Sequence, residues 1–198
     1  MSSCGWSPWQ YPFNHREASN LGLIIQNGEL VCPVKGNGSW CFVEYKDGSV
    51  DLRLVKKDDD ISNIKTSAAG FAQVLKDGTP IQTKRIDLHP RTGFGLSQDK
   101  RFLFFLVIDG RQKGYSEGAS TVEVAELLKA AGAWTGLNMD GGGSTTLISW
   151  DAEKKCIAKW NHHRNDAERL VGCNLGVCLK PEKRPAPAES QSQKKATP

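Results

Sequence analysis

Three Asn-Gly or Asp-Gly dipeptides, each between two short apolar segments, constrain the fold of this chain more than any other feature. They are Asn27-Gly28, Asp47-Gly48 and Asp77-Gly78. Turns of this composition adopt positive φ at both central residues, and the resulting twist matches that of two paired strands. Each dipeptide therefore predicts a β-hairpin. The predicted strand pairs are 21–25 with 29–34, 39–46 with 49–55, and 70–76 with 80–85.

Further strands are predicted in the second half of the chain. One is expected at 91–97, and a second at 101–108, where R-F-L-F-F-L-V-I forms a continuous apolar run. Such a run is typical of a central strand that is buried on both faces. Additional strands are expected at 145–150, 156–160 and 170–179.

One helix is predicted after residue 119. Ser120 is the expected N-cap, and Glu123 completes a capping box three residues later. Apolar residues then recur at helical spacing, at Val124, Leu127, Leu128 and Ala131. Together these elements predict an α+β fold, with a mostly antiparallel or mixed sheet, hairpins and a few packed helices around a glycine-lined cleft.

Length and composition limit the classes of protein to consider. The 198 residues are enough for one domain, expected at 1–180, and 181–198 lack large apolar side chains, which predicts a disordered tail. The net charge of +4 comes without a basic stripe interleaved with aromatic residues, which argues against nucleic-acid binding. No apolar run approaches the roughly 18 residues of a transmembrane helix, and no signal peptide is recognisable.

The six cysteines form no C-x-x-C pair and have no histidine at zinc-like spacing. Burial as small apolar side chains is favoured over disulfides or metal ligation. Because an even count leaves disulfides open, the cysteines do not determine the cellular compartment.

The segment N-M-D-G-G-G-S-T, from Asn138 to Thr145, is the strongest candidate for a functional site. Three consecutive glycines add no packing and cost conformational entropy, so a simple turn explains them poorly. Their backbone amides can turn towards one point and bind an anion. Asp140 stands beside this predicted anion site, with Ser144 after it.

Three other clusters supplement this segment. Asp109 and Arg111 follow the most hydrophobic strand, where a β-turn with a surface ion pair is an equally good interpretation. In the second cluster, Ser116 and Glu117 are candidates for sugar contacts and Tyr115 for stacking on a ring, against a capping segment as the alternative. The third cluster consists of His89, Pro90, Arg91, Arg169 and Asn174, in which an arginine can grip a phosphate. His162 and His163 are interpreted as part of a surface loop.

The order of these motifs resembles that of the phosphodiester glycosidase family, which includes N-acetylglucosamine-1-phosphodiester α-N-acetylglucosaminidase and exopolysaccharide-related bacterial domains. The matching motifs are R-T-G-F-G-L-S from residue 91, L-V-I-D-G-R-Q from 106, the capped helix, and L-N-M-D-G-G-G-S-T from 137. The final E-R-L-V-G-C-N-L-G-V is similar to the last strand of the family. The resemblance is specific over about 91–177 and weaker over 20–85.

The resemblance implies hydrolysis of a sugar-1-phosphodiester, with a sugar-phosphate or glycan as the substrate. By position it implies catalytic roles for Asp140 and Asp109. It implies substrate or phosphate binding by Arg91, Arg111, Asn138, Gly141, Gly142, Gly143, Ser144, Ser116, Gly118 and Arg169. It also implies that strands preceding this chain are missing, that activity is affected by their loss, and that the protein is exported or belongs to the cell envelope.

The expected chemistry follows from the leaving group. A phosphate ester leaves as a stable anion, so it needs positive charge and aligned amides rather than a general acid. Asp140 is preferred over Asp109 as the group that acts at the sugar, and no cofactor is required, although a divalent cation can fit beside the two carboxylates. A glycan- or phosphate-binding module and a transglycosylase remain alternatives, and the sequence leaves the oligomeric state open.

Overall fold

The computed structural model describes residues 6–7, 19–82, 86–163 and 169–178. The predicted α+β class is wrong, because the described residues are mostly antiparallel β-sheet and contain one α-helix, α1 (Thr121–Ala130). A single 3₁₀ turn at Gly142–Ser144 accompanies it. The reason is local, since only the segment after Ser120 combines a capping box with apolar residues at helical spacing.

The first five-stranded sheet contains two of the three predicted hairpins. Its strand order is β4-β3-β7-β5-β6, with every neighbouring pair antiparallel. Asn27 and Gly28 have φ of 52° and 83°, as the hairpin signal required. The strands are β3 (Ile24–Gln26), β4 (Glu29–Cys32), β5 (Ser39–Tyr45), β6 (Val50–Val55) and β7 (Ile64–Ala69), and an earlier pair consists of β1 (Trp6–Ser7) and β2 (Ser19–Asn20).

The second five-stranded sheet, also antiparallel, has the order β11-β10-β12-β8-β9 and contains the third hairpin. Its strands are β8 (Ala72–Lys76), β9 (Thr79–Pro80), β10 (Arg91–Leu96), β11 (Leu103–Ile108) and β12 (Thr135–Asn138). Two later strands, β13 (Ile148–Asp151) and β14 (Cys156–Lys159), form a separate hairpin.

Two strand predictions need correction. The apolar run at 101–108 was predicted to be a central strand, but β11 lies at the edge of its sheet. It is apolar because both of its faces pack on a core, with Phe104 and Leu106 on the α1 side and Phe105 on the other. The strand expected at 170–179 is absent from the described residues 170–178. The predicted tail at 181–198 lies outside the described residues.

Helix α1 packs on a face of the second sheet that combines apolar side chains with several glycines. A Cβ at Gly136 would lie 2.9 Å from a methyl group of Leu128 in α1, and one at Gly95 would lie 2.7 Å from the Cβ of Ala133, just after α1. Real side chains do not approach so closely, so glycine at these strand positions lets the helix lie directly on the backbone. Helix α1 has ten residues, and no helix in the described part of the chain has the length and apolar character to cross a membrane.

The opposite face of the second sheet packs on the first sheet. Phe94 is fully buried there and meets the ring of Phe42 edge to face at 6.3 Å and that of Phe105 at 4.9 Å. Burying a side chain of this size contributes about 1.5–3 kcal/mol. The buried members of this core are Phe42, Leu52, Phe94, Leu96, Leu137 and Met139.

The register of the second sheet determines where loops meet. Arg91 at the start of β10 is opposite Ile108 at the end of β11, and Gly93 is opposite Asn138 at the end of β12. Because β10 is antiparallel to both neighbours, three segments emerge at the same end of the strands: the loop after β11, the loop after β12 and the segment before β10. The predicted site segments therefore come together there.

Candidate functional site

A cavity of about 190 Å³ opens at this end of the strands of the second sheet. Four chain segments line it: the residue before β10, the loop after β11, the glycine turn after β12 and the residues after β14. The residues around it are Pro90, Asp109, Gly110, Arg111, Gly142, Gly143, Thr145, Asn161, His162 and His163.

The glycine turn packs directly on the backbone before β10. A Cβ at Gly141 would lie 2.6 Å from the carbonyl oxygen of Pro90, and Gly142 has φ of 61°. Neither position accepts a side chain without strain. The N–H of Gly142 donates to the Pro90 carbonyl at 2.8 Å, and the N–H of Gly141 donates to the carboxylate of Asp140. Among the described residues, the N–H of Gly143 is therefore the one of the three without an acceptor.

Two guanidinium groups lie against consecutive glycines of this turn. A Cβ placed on Gly142 would be 3.5 Å from Nη1 of Arg111, and one placed on Gly143 would be 3.6 Å from Nε of Arg169. Burial lowers the pKa of Arg169, Asp140 raises it, and the nearby positive charge of Arg111 lowers it further. Two positively charged side chains therefore lie beside the turn.

Asp140 and Ser144, on either side of the three glycines, both contact Arg169. Nη2 of Arg169 lies 3.7 Å from Oδ2 of Asp140 and donates to the hydroxyl of Ser144, which is fully buried. Burial raises the pKa of Asp140, although the Ser144 hydroxyl, the charge of Arg169 and the Gly141 N–H all act to lower it. Among the described residues, Oδ2 of Asp140 has no hydrogen-bond donor. Asp140 lies close to the cavity without being one of the residues that line it.

Asp109, in contrast, lines the cavity and is fixed by several donors. The N–H of His162 lies 3.0 Å from both of its carboxylate oxygens, and Nδ2 of Asn161 donates at 3.3 Å. The hydroxyl of Tyr115 lies 3.3 Å from Oδ2 of Asp109 and 3.1 Å from Nδ1 of His162. The carboxylate of Asp109 therefore holds the segment after β14 against the loop after β11.

The guanidinium of Arg111 points towards His89, with 3.3 Å between Nη2 and Nδ1. Burial and the charges of Arg111 and Arg91 lower the pKa of His89, so a neutral imidazole accepts this hydrogen bond. Among the described residues, Arg111 forms no ion pair with a carboxylate. Its φ of 58° is unusual for a residue with a side chain and directs it over the glycine turn.

Several residues that were predicted to bind substrate instead contact the main chain of the protein itself. Nε and Nη2 of Arg91 donate to the carbonyls of Ala119 and Asp87 at 2.8 and 3.0 Å. The hydroxyl of Ser116 donates to the carbonyl of Asp109 at 2.6 Å. A Cβ at Gly118 would lie 2.4 Å from the His89 backbone. The side-chain amide of Asn138 donates to the Met139 carbonyl at 3.2 Å.

The sequence interpretation missed Asn161, His162 and His163 as residues of the site. His163 is buried and bonds through Nε2 to the hydroxyl of Thr146 at 2.9 Å, and the His162 ring meets the Tyr115 ring edge to face at 5.5 Å. One signal was available in the sequence, because the chain has only four histidines and two of them, His162 and His163, are adjacent. In the described part of the chain, no group of three or more His, Cys, Asp or Glu side chains is arranged to hold a metal ion.

Residues 10–178 match the family model described as phosphodiester glycosidase. Among solved structures, the chain resembles the catalytic domain of zebrafish N-acetylglucosamine-1-phosphodiester α-N-acetylglucosaminidase, auto-inhibited by pro-peptide. The match covers 64% of this chain and 47% of that one, at 26% identity and a TM-score of 0.53. A hypothetical protein from Synechocystis matches over 73% of this chain and 47% of its own, at 12% identity and a TM-score of 0.43, which is too low to support an argument. The chain thus spans about half the length of these solved structures. A search of curated proteins gives no significant match.

Proposed function

The chain belongs to the phosphodiester glycosidase family, and we propose that it hydrolyses a sugar-1-phosphodiester of the N-acetylglucosamine-1-phosphate type between the anomeric carbon and the phosphate oxygen. The observation that carries the proposal is the position of Arg111 and Arg169 against consecutive glycines of one turn. A phosphodiester is an anion, and guanidinium groups bind phosphate oxygens through parallel hydrogen bonds. The name of the similar zebrafish enzyme describes a substrate of this type.

In this proposal Arg111 and the N–H of Gly143 bind the phosphate. Arg111 has no carboxylate partner among the described residues, so its charge is available to an incoming anion. Negative charge builds up on the departing phosphate oxygen during bond cleavage, and preorganised donors stabilise that charge more in the transition state than in the ground state. Arg169 contributes a second positive charge from behind Gly143.

We assign the reaction at the sugar to Asp109 and the positioning of Arg169 to Asp140. Both residues were expected to be catalytic from the sequence, with Asp140 preferred. Asp109 is the one that lines the cavity, whereas Asp140 faces Arg169 and Ser144. An oxocarbenium-like transition state needs a carboxylate near the anomeric carbon, as a nucleophile or as the base for a water molecule. His163 borders the same cavity and is suited to contact a sugar hydroxyl.

A release assay tests this function. The purified chain is incubated with the methyl ester of N-acetylglucosamine-1-phosphate, and free N-acetylglucosamine and methyl phosphate are quantified. Equal amounts of both products support hydrolysis. Transfer of the sugar to an added acceptor alcohol, without free sugar, would indicate a transglycosylase. Saturable binding of the ester without either product would indicate a binding module and contradict the proposal.

A further inference from the structure

A second, larger groove adjoins the candidate site. It encloses about 600 Å³ between the β13–β14 hairpin and the segment at 171–177. Arg169 lines this groove and also contacts Ser144 and Asp140, so the groove begins where the proposed phosphate site ends. A ligand that has its phosphate at the glycine turn can therefore extend past Arg169 into the groove.

The hairpin presents three large apolar side chains on one face, which Lys159, paired with Ile148, shares. Side chains alternate along a strand, so Ile148 and Trp150 share one face, and Trp150 is paired directly with Ile157 on β14. Their exposed fractions are 50%, 65% and 66%, respectively, which is unusual for three adjacent large apolar side chains. On the other side of the groove lie Val171, Leu175 and Val177.

The distribution of charge along the groove limits the chemical class of ligand that it can bind. Arg169 is the only charged side chain among the described residues that line it, and it stands at the end next to the glycine turn. The other side chains that line the groove are uncharged: most are hydrocarbon, one is an indole ring, and Thr146, Ser149 and Asn174 are polar. This arrangement suits a molecule with a phosphate at one end and an uncharged apolar body at the other.

We propose that the groove binds the leaving group, and that the preferred substrates are sugar-1-phosphodiesters of an apolar alcohol with an alkyl chain. This inference rests on the proposed function. In the hydrolysis, water adds its oxygen to the anomeric carbon and releases a proton. The bond from that carbon to the phosphate oxygen breaks, and its electron pair leaves with the alkyl phosphate. The groove holds the alkyl phosphate product before its release.

The test compares methyl, butyl and octyl esters of N-acetylglucosamine-1-phosphate. Each buried methylene group is worth roughly a three- to four-fold gain in affinity at best. Because burial in an open groove is partial, we expect kcat/KM to rise at least about tenfold from methyl to octyl. Trp150→Ala should reduce this dependence on chain length. Trp160→Ala is the matched control, because Trp160 is equally exposed (66%) but is not one of the described residues that line the groove.

Calorimetric titration with octyl phosphate and methyl phosphate separates this inference from the proposed function. If no ester is cleaved but octyl phosphate binds more tightly in a Trp150-dependent manner, the function fails and the groove assignment stands. If the methyl ester is cleaved while neither kcat/KM nor affinity depends on chain length, the groove assignment is overturned. A preference for an ester with an uncharged, polar alcohol such as glycerol over the octyl ester would overturn it as well.

Discussion

Nη2 of Arg111 lies 3.3 Å from Nδ1 of His89, so the guanidinium that covers the glycine turn is held by a neutral imidazole. A carboxylate in the place of His89 would neutralise the positive charge of Arg111. The imidazole orients the guanidinium and leaves its charge available to a phosphate.

Replacing His89 with Gln should make stability less dependent on pH. The pKa of His89 in the fold is lowered, whereas the unfolded chain has a value of about 6.5. Between the folded value and 6.5 the unfolded chain binds more protons, so stability falls as pH falls, by at most about 1.4 kcal/mol per pH unit. Above that window both states are neutral and His89 contributes no pH dependence. Urea unfolding of both proteins at pH 7.5, 6.5 and 5.5 measures the difference in pH dependence. Identical slopes would contradict the assignment.

Arg111→Gln should lower kcat/KM for the methyl ester by about 10²- to 10³-fold, which is the usual effect of removing one donor to a developing anion. The fold should be unaffected, because Arg111 is exposed. Arg101→Gln is the control, since Arg101 is also exposed and contacts the ring of Phe102 instead of the cavity. Equal losses in the two variants would show that general charge, and not the position of Arg111, matters.

Asp109→Asn should reduce kcat by about 10²- to 10⁴-fold, because an amide cannot act as a nucleophile or a base. Steady-state kinetics with the methyl ester measures this effect. Asp58→Asn provides the control at an exposed position outside the site. A kcat for Asp109→Asn within a few-fold of wild type would exclude a direct role at the sugar.

Asp140→Asn should also lower turnover, by about tenfold, through the orientation of Arg169. Because burial raises the pKa of Asp140, the fold disfavours its charged form, and a neutral amide should change the free energy of unfolding little. Thermal unfolding and kinetics of the same preparation check both expectations. If Asp140→Asn reduces kcat more than Asp109→Asn does, the role at the sugar belongs to Asp140.

Gly95→Ala should destabilise the fold by about 1–3 kcal/mol, the usual cost of overpacking a core. The added Cβ would lie 2.7 Å from the Cβ of Ala133, just after the helix, and 3.1 Å from a methyl group of Leu128 within it, so this end of the helix would have to move away from the sheet. Gly176→Ala is the control, because a Cβ there meets nothing within 4 Å. Urea denaturation of both variants gives the comparison, and equal midpoints would show that the helix position is not set by Gly95.

Several residues named from the sequence are brought together by the structure, but the sequence did not predict their arrangement, and their roles stay predictions. Asp109, Arg111, Gly142 and Gly143 do line one cavity. Three backbone N–H groups were expected to bind the anion, but only that of Gly143 has no acceptor among the described residues. The N–H of Gly142 donates to the backbone before β10, and the N–H of Gly141 donates to Asp140. No pattern in the sequence reports that competition, since it depends on which segment lies opposite the turn.

Local sequence determined the hairpins, the capped helix and the presence of a side-chain-free turn after Asp140, because each depends on the φ/ψ preferences and hydrogen bonds of a few adjacent residues. Tertiary structure alone decided that β11 lies at a sheet edge and that His162 and His163 join the cavity. It also decided that Arg169 reaches back to Ser144. Those outcomes depend on strand order and on packing between segments far apart in the chain, where the free energy comes from the contacts of the whole fold.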